Sequence, residues 1–299
     1  MTLKDFKLFF TDALVSIYPK TEIDAFFFIL IEEKLQLQRI DTVLKPDFLI
    51  ADEQLNSLKE IIEKLKKEEP IQHILGNTEF YGLPFLVNKN TLIPRPETEE
   101  LVDWVLNKVQ KLNRKKEKKL AILDIGTGTG CIPISLAKNL KNVQISAIDI
   151  STEALKVAEK NAKLNEVEVT FIEADILSTE NLNNLSVQAK PKTTSNQQFD
   201  IIISNPPYVR ELEKVAIKNN VLENEPHLAL FVADNNPLIF YDKIADLAKL
   251  HLAKNGFLFF EINQYLGKET ITMLQQKGFT NITLKKDFAG NDRMIKASL

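Results

Sequence analysis

The chain has 299 residues, of which 44% are hydrophobic and 26% charged, with a net charge of -3. The length is enough for one large domain plus a small one, and the hydrophobic and charged fractions are ordinary for a soluble globular protein. The net charge argues against a protein held on nucleic acid mainly by phosphate contacts, which needs a basic surface. A single cysteine excludes an internal disulfide and favours a reducing compartment, the cytoplasm. The apolar run at residues 26–31 is too short to span a membrane, and the three scattered histidines predict no metal site.

Residues 1–68 carry apolar residues at helical spacing, most clearly in residues 55–65. The run at residues 26–31 is apolar almost all round, which predicts a central place in a small helical bundle. Such a bundle either only stabilises the chain or docks a partner. The sequence leaves both alternatives open.

The pattern changes at residues 69–92, where Gly82 and Pro84 predict a short β-hairpin that links the bundle to a second domain. Beyond it, Pro94 and Pro96 hold the backbone extended before a helix that opens with acidic residues. Those acidic residues favour the helix dipole, so capping is one interpretation. The other is that this rigid loop forms one wall of a site.

A buried strand at residues 120–125 runs directly into a glycine-rich loop, followed by a helix from about residue 131. A phosphate-binding nucleotide loop reads Gly-x-Gly-x-x-Gly, whereas the third glycine here comes one place earlier. This spacing is typical of loops that bind S-adenosyl-L-methionine, which has no pyrophosphate. We therefore predict cofactor contacts from Asp124, Gly126, Thr127, Gly128, Thr129 and Gly130.

Acidic residues end the next two strands. Asp149 closes the strand at residues 143–149, about 20 residues after the glycine loop, where a carboxylate that accepts ribose hydroxyls is expected. Asp149 can also be interpreted as a helix N-cap, although Ser151 can fill that position. Asp175, at the end of a predicted strand over residues 167–175, is placed to reach an adenine amino group, with Ile176 beside it.

The fourth strand, residues 199–203, stops at a rigid polar corner formed by Asn205, Pro206, Pro207 and Tyr208, which we name the Asn205 corner. Each proline lacks an N–H and pushes the residue before it into an extended conformation. The Asn205 side chain and the Pro206 carbonyl thus become two fixed polar groups, with Tyr208 as a flat wall. Asn-Pro-Pro-Tyr at a strand end is typical of methyltransferases that act on a planar, conjugated nitrogen.

Two polar stretches carry no predicted chemistry. Residues 111–119 are a dense basic run, for which a solvated helix end is favoured over RNA contact. Residues 178–198 are interpreted as a surface insertion. From residue 120 onward strands alternate with helices, which predicts a doubly wound α/β domain, closed by an antiparallel pair of strands near residues 279–297.

Taken together, these motifs resemble the HemK-type protein-(glutamine-N5) methyltransferases, which modify class 1 peptide-chain release factors. The resemblance covers nearly all of the second domain and the hinge, while the bundle matches only in kind. It departs at Ile176, where the family typically has an aromatic residue against the adenine. The motifs that carry it are residues 70–76 (Pro-Ile-Gln-His-Ile-Leu-Gly), 79–82 (Glu-Phe-Tyr-Gly), 93–99 (Ile-Pro-Arg-Pro-Glu-Thr-Glu), 124–130, 205–208, 225–226 (Glu-Pro) and 229–230 (Ala-Leu).

The resemblance implies a Rossmann-like class I methyltransferase domain with a mostly parallel seven-stranded sheet at residues 93–299. A bundle at residues 1–68 would dock the release factor, and a hinge would span residues 69–92. It implies methyl transfer from S-adenosyl-L-methionine to the glutamine N5 of a Gly-Gly-Gln motif. Catalysis would rest on Asn205, Pro206 and Tyr208. These three residues and Pro207 would contact the substrate, and Asn205 would also contact the cofactor. We expect a cytoplasmic monomer without stable binding to nucleic acid or membranes.

Two rival interpretations remain open. An adenine-N6 methyltransferase acting on nucleic acid would also suit the Asn205 corner, since a flipped base presents a similar planar amine. The acidic balance and the lack of an obvious base-reading domain argue against it. The second rival is a non-catalytic binding protein that has kept the fold, against which the intact glycines, Asp149 and Asn205 argue.

Overall fold

The computed structural model describes residues 1–112, 119–185 and 198–299. Most of the basic run and most of the polar insertion lie outside these described residues. The chain divides into two compact units. The first comprises Met1–Leu75 and Lys218–Asn224, and the second comprises Gly76–Ile217 and Glu225–Leu299.

The first unit is helical, in agreement with the apolar spacing of the sequence. Its helices along residues 1–75 are α1 (Leu3–Leu14), α2 (Lys20–Leu35), α3 (Asp41–Leu44), α4 (Asp52–Leu65) and α5 (Ile71–Leu75). The rings of Phe6, Phe10 and Phe27 meet at centroid distances of 6.0, 6.1 and 5.8 Å in its core. Leu30 and Ile31 are also fully buried, whereas Phe26 and Phe28 are only partly buried and Ile29 is exposed. The apolar run of α2 therefore lies in the bundle core along one face, rather than all round as the sequence suggested.

The second unit begins with the predicted hairpin. Strands β1 (Asn77–Phe80) and β2 (Leu83–Leu86) pair in antiparallel register. The two turn residues, Tyr81 and Gly82, both have positive φ angles, 52° and 70°, as a two-residue hairpin with the right-handed strand twist requires.

Strands alternate with helices in the rest of the chain. The further strands are β3 (Leu120–Ile125), β4 (Val143–Asp149), β5 (Thr170–Glu173), β6 (Phe199–Ser204), β7 (Val209–Arg210), β8 (Phe231–Val232), β9 (Leu252–Glu261), β10 (Thr280–Lys286) and β11 (Asp292–Ser298). The further helices are α6 (Pro96–Gln110), α7 (Cys131–Asn139), α8 (Thr152–Leu164), α9 (Asn219–Asn224, in the first unit), α10 (His227–Leu230), α11 (Ile239–His251) and α12 (Gly267–Gln276).

Seven strands of the described chain form one sheet in the order β10-β11-β9-β6-β3-β4-β5. Neighbours from β9 through β5 are parallel, whereas β11 is antiparallel to both β9 and β10. The chain leaves β3 toward β5 and then returns to β6 on the other side of β3. In open α/β sheets, ligands bind at such a switch point, outside the carboxyl ends of the strands.

The sheet is covered on both faces, which explains why its central strands are apolar throughout. Ile201 and Ile203 of β6 pack in one core with α6 and α7, while Ile202, between them, packs in the other core with α11. All three isoleucines are fully buried. Successive side chains of a strand point to opposite faces, so a parallel strand buried on both faces reads as a continuous apolar run. The predicted doubly wound α/β architecture is confirmed.

The observed units differ in two places from the predicted domain limits. The first unit extends to Leu75 because Ile71 joins the bundle core with 3% exposure. Residues 218–224 belong to the first unit although they lie within the predicted range 93–299. A six-residue helix such as α9 is too short to show a periodic apolar pattern. The sequence therefore does not predict that residues 218–224 belong to the first unit.

Candidate active site

The carboxyl ends of β3, β4 and β6 are tied together directly. The Ser204 hydroxyl, at the end of β6, donates a hydrogen bond of 2.6 Å to the carbonyl of Ile125 at the end of β3. The backbone N–H groups of Gly126 and Thr127 both donate to the carbonyl of Ile148 in β4, at 2.9 and 3.0 Å. These bonds place the glycine loop next to the Asn205 corner.

The three glycines of the loop have φ angles of 78°, 54° and 79°, in the left-handed region that favours glycine. At Gly130 a Cβ atom would also lie 2.9 Å from Ile134 Cδ1 and 3.1 Å from Ala158 Cβ, so α7 and α8 approach too closely for a side chain. The third glycine therefore serves close packing behind the loop, as well as the turn itself.

Asp149 is fixed by two backbone donors at the end of β4. Its Oδ2 accepts the N–H of Gly128 at 2.8 Å, and its Oδ1 accepts the N–H of Ser151 at 2.9 Å. Ser151 is the N-cap of α8, since its side chain accepts the N–H of Ala154, as predicted. Burial raises the pKa of Asp149, and the backbone hydrogen bonds oppose this shift. Each carboxylate oxygen keeps acceptor capacity for a further donor.

Asp124 is the fully buried carboxyl group of the glycine-loop strand. Neither of its oxygens has a hydrogen-bond partner in the part of the chain that the structure describes, and the same holds for Thr127 Oγ1. Burial raises the Asp124 pKa to about 7; the charge of Asp149 acts in the same direction, and the Thr127 side chain opposes it. The Asp124 carboxyl group therefore keeps its proton up to a pH of about 7.

A cavity of about 390 Å³ opens at this edge of the sheet. Predicted site residues that line it are Gly126, Gly128, Asp149, Asp175, Ile176, Asn205, Pro206 and Pro207. The strand β5 ends at Glu173, so Asp175 lies two residues beyond it, where its Oδ1 accepts the N–H of Leu177. The predicted strand over residues 167–175 is thus longer than the observed one, because pairing with β4 covers only four residues.

Five predicted site residues do not line the cavity. Thr127, Thr129 and Gly130 shape the loop from within, and Asp124 lies buried below it. Tyr208 turns its hydroxyl away, donating to Glu261 Oε1 at 3.1 Å. Its placement differs from the flat wall that the sequence suggests.

The Asn205 side chain is held by residues that the sequence analysis did not select. Its Nδ2 donates to Thr98 Oγ1 at 3.2 Å, and the Thr98 hydroxyl donates to Glu261 Oε2 at 2.7 Å. Thr98 and Glu261 are buried, with 2% and 1% exposure. Thr98 lies in the noted segment at residues 93–99, but a threonine in a first helical turn reads as a capping residue. Glu261 is a charged residue at the end of the apolar segment at residues 257–260 of β9, and this position is the sequence feature that could have marked it as a site residue.

A further wall of the cavity follows the hinge. Glu225 is buried and accepts both the N–H of Ile93 at 3.1 Å and the Arg95 guanidinium at 2.6 Å. This pair fixes the proline-rich loop, and the preceding residues line the cavity: Asn90, Thr91 and Leu92. Other lining residues were not predicted as site residues, although Pro226 and Ala229 lie in motifs quoted above; they include Ala174, Leu177, Pro226, Leu228, Ala229, Phe240 and Ile244.

Within the described ranges, no three His, Cys, Asp or Glu side chains come together in a way that could hold a metal ion. Likewise, none of the described helices is long and apolar enough to cross a membrane. The residues with polar side chains that line the cavity are Asn90, Thr91, Asp149, Ser151, Asp175, Ser204 and Asn205.

The strand order, the glycine loop after the first strand of the sheet and the Asn205 corner after the fourth define a class I methyltransferase. Two family models match the chain: one described as PrmC N-terminal domain, over residues 9–76, and one described as Methyltransferase small domain, over residues 106–230. The predicted fold class is thereby confirmed.

Curated relatives give the family. A release factor glutamine methyltransferase of Flavobacterium psychrophilum is 55% identical over 298 residues, covering 100% of this chain and 99% of the relative. One of Bacteroides thetaiotaomicron is 40% identical over 286 residues, 96% of each chain. The chain belongs to the family of release factor glutamine methyltransferases, so the resemblance noted in the sequence is confirmed.

Among solved structures, the hMettl16 catalytic domain in complex with MAT2A 3′UTR hairpin 1 superposes with a TM-score of 0.55. The two chains are 14% identical, and the match covers 89% of this chain and 87% of the other. At this identity the similarity concerns the fold alone.

Proposed function

We propose that this chain transfers a methyl group from S-adenosyl-L-methionine to the N5 amide nitrogen of glutamine in the Gly-Gly-Gln motif of class 1 peptide-chain release factors. The reaction would modulate translation termination in the cytoplasm. The observation that carries the proposal is the meeting of the Asn205 corner and the glycine loop in one cavity. Full-length similarity to release factor glutamine methyltransferases supports the choice of acceptor.

The cavity fits the cofactor on its glycine-loop side. The Asp149 oxygens are held in place by two backbone donors and can accept ribose hydroxyls. Asp175 and Ile176 would contact the adenine, the carboxylate by hydrogen bonding and the isoleucine by aliphatic packing. Gly126 lines the cavity with a φ of 78°, a backbone conformation that favours glycine. When bound, the cofactor supplies an electrophilic methyl group on its sulfonium.

The Asn205 corner would hold the acceptor amide. An amide nitrogen is a poor nucleophile because its lone pair is delocalised into the carbonyl. Asn205 Oδ1 and the Pro206 carbonyl would each accept one of its N–H bonds, which leaves the lone pair facing the methyl group. Such alignment is worth effective molarities of about 10⁵ M or more in favourable cases. The methylated amide can lose its extra proton to water, so the mechanism uses no general base.

The decisive experiment incubates the protein with labelled S-adenosyl-L-methionine and two acceptors in parallel, a release factor with a Gly-Gly-Gln motif and an adenine-containing RNA or DNA. We expect label on the release factor alone, lost when the motif glutamine is replaced by alanine. Label on adenine instead would contradict the proposal. Cofactor binding without transfer to either acceptor would favour the non-catalytic interpretation.

We also propose that the helical unit docks the release factor and that the chain acts as a monomer, without stable nucleic-acid or membrane binding. Four apolar side chains of that unit are more than half exposed within ten residues of sequence, at Ile40, Val43, Leu44 and Leu49. Isolated exposed apolar residues are ordinary, but closely spaced ones often mark an interface.

Replacing Leu44 by aspartate tests this docking role. We expect KM for a full-length release factor to rise about 10-fold, the effect of a typical interface anchor, while KM for a short Gly-Gly-Gln peptide stays unchanged. Leu250→Asp is the matched control, because Leu250 is an exposed leucine of α11 in the second unit. An unchanged KM for the full-length substrate in Leu44→Asp would argue against docking at this surface.

A further inference from the structure

The amide of Asn205 has two ends of nearly equal size, and only its oxygen can accept an N–H bond from the substrate. Packing by shape does not distinguish the two orientations, so a hydrogen-bond partner must select one. That partner is Thr98, whose Oγ1 accepts the Asn205 Nδ2–H at 3.2 Å. Thr98 is outside the cavity lining, so the amide nitrogen is engaged behind the site and Oδ1 is left for the acceptor.

Thr98 can select the orientation only if its own hydrogen is committed elsewhere. Its hydroxyl donates to Glu261 Oε2 at 2.7 Å. A carboxylate is an acceptor only, so it draws the hydroxyl hydrogen to itself and leaves Thr98 Oγ1 as an acceptor toward Asn205. The polarity of the chain of bonds from Glu261 to Asn205 is therefore set by the charge of Glu261.

Glu261 is buried, with 1% exposure, and burying a carboxylate is costly unless donors compensate it. The Tyr208 hydroxyl donates to its other oxygen at 3.1 Å, and Arg293 lies next to that hydroxyl at 3.5 Å. Arg293 is itself fixed by Asp287, at 3.1 Å. Two donors from separate segments, Thr98 and Tyr208, thus hold a carboxylate that does not line the cavity, and the charge of Arg293 supports it. This arrangement indicates that Glu261 acts through its neighbours.

We propose that Thr98 and Glu261 are positioning residues that lock the Asn205 amide with its oxygen toward the acceptor nitrogen. The inference rests on the proposed function, which assigns that task to Asn205 Oδ1. It adds two residues to the machinery of methyl transfer, neither of which touches the substrate or the cofactor. It also predicts that a proton on Glu261 reverses the chain of bonds, because a carboxylic acid can donate to Thr98.

The first test compares Thr98→Val, which removes the hydroxyl at nearly constant shape, with Thr98→Ser, which keeps it. For Thr98→Val we expect kcat to fall about 10-fold or more, the effect of losing one orienting hydrogen bond. KM for the release factor and Kd for S-adenosyl-L-methionine should stay within about twofold of the wild type. Thr98→Ser should restore most of kcat. Wild-type kcat in Thr98→Val would overturn the proposal.

A matched control separates positioning from a general packing defect. Thr270 is also a fully buried threonine whose hydroxyl is bonded, to the carbonyl of Leu266, but it is not connected to Asn205. Thr270→Val should also lower the melting temperature, by less than Thr98→Val because no buried charge loses a donor, while leaving kcat unchanged. Equal losses of kcat in the two variants would assign the effect to stability and contradict the proposal.

Asn205→Ala, measured alongside, distinguishes the role of Asn205 in methyl transfer from the positioning role of Thr98. If Asn205→Ala turns over at the wild-type rate, the proposed function of the Asn205 corner fails. If Asn205→Ala is inactive while Thr98→Val keeps the wild-type kcat, the proposed function stands and the positioning role fails. Loss of kcat in both, with rescue by Thr98→Ser, supports both.

The pH profile supplies a readout that a merely structural role would not move. Burial raises the pKa of Glu261, opposed by Thr98, Arg293 and Tyr208. We expect kcat to fall on the acid side, at a pH above the ordinary range of a glutamate. Glu261→Gln should have low kcat at every pH and lack this acid limb, since its amide can donate to Thr98. An acid limb that persists in Glu261→Gln would overturn the assignment.

The ionisable groups that face Glu261 are Glu97 (α6), Cys131 (α7), Tyr208 (after β6), Tyr241 (α11) and Arg293 (β11).

Discussion

A buried carboxyl group lies behind each side of the cavity, and the two groups differ in their hydrogen-bond partners. On the glycine-loop side, Asp124 is fully buried, and neither oxygen has a partner among the described residues. On the side of the Asn205 corner, Glu261 is equally buried but accepts from Thr98 and Tyr208, with Arg293 beside it. A partnered carboxylate can set the polarity of its neighbours, whereas an unpartnered one stays close to its neutral form.

The sides also differ in how local their contacts are. Asp149 bonds to Gly128 and Ser151, which are 21 and two residues away in sequence. Asn205 depends on Thr98, 107 residues away, and through it on Glu261, 163 residues farther along the chain from Thr98. The glycine-loop side is therefore built from consecutive strand ends, and the Asn205 corner from elements that meet only in the folded sheet.

The largest difference between the two sides of the cavity is expected from Asn205→Ala. The variant loses one of two acceptors for the substrate amide, and we expect kcat to fall about 10³-fold, as when a transition-state hydrogen bond is removed. Kd for S-adenosyl-L-methionine should be nearly unchanged because the glycine-loop side is intact. Single-turnover methyl transfer and calorimetric cofactor titration measure the two quantities.

Asn107→Ala is the matched control for that variant, since Asn107 is an exposed asparagine of α6 that bonds within its own helix, to Asp103. It should keep the wild-type kcat. If Asn205→Ala weakened cofactor binding as much as it slowed transfer, the division of the cavity into two sides would be wrong.

The next effect concerns Asp124 and its pH dependence. With a pKa near 7 in the folded state against an ordinary value of 3.8, the native protein holds a proton that the unfolded chain releases. The free energy of unfolding should therefore fall as pH rises between about 4 and 7, by up to about 1.4 kcal/mol per pH unit from this group. Asp124→Asn does not titrate, so its stability relative to the wild type should rise across that window and level off above it.

Thermal unfolding at a series of pH values, without cofactor, measures this difference for the wild type and Asp124→Asn. The ionisable groups that act on or face Asp124 are Asp149 and Cys131. Parallel pH profiles for the two proteins would mean that Asp124 has a partner that stabilises its charged form, and the contrast with Glu261 would disappear.

The same contrast explains what the sequence predicts well. Strand ends carry local signals: glycine spacing, an acid after an apolar strand, and prolines that stop β6. From these the sheet, the hairpin and eight residues of the cavity lining follow directly. The glycine-loop side needs little beyond them, because its contacts are close in sequence.

Contacts over 100 residues leave no local pattern. Thr98 reads as a capping residue and Glu261 as the polar end of a strand. The pairing of β6 with β9 places Glu261 beside the Asn205 corner, and the packing of α6 against β9 brings Thr98 to Glu261. Tyr208 illustrates the same limit, because its position in the motif suggests a wall of the site, while the fold directs its hydroxyl to Glu261. The excursion of residues 218–224 into the first unit is likewise a property of the fold as a whole.

The smallest effect is expected from Asp149→Asn, which tests the glycine-loop side. This variant should weaken cofactor binding and spare kcat, whereas Asn205→Ala should lower kcat and spare cofactor binding. The amide keeps one acceptor oxygen, so one of the two backbone donors, Gly128 or Ser151, loses its partner. We expect Kd for S-adenosyl-L-methionine to rise about 10-fold, equivalent to about 1.4 kcal/mol, with kcat at saturating cofactor within about twofold of the wild type. Asp200→Asn is the control, since Asp200 accepts the N–H of Ala121 at the other end of the sheet. A fall in kcat at saturating cofactor would show that the ribose contact also aligns the methyl group, and the two sides of the cavity would then act together rather than separately.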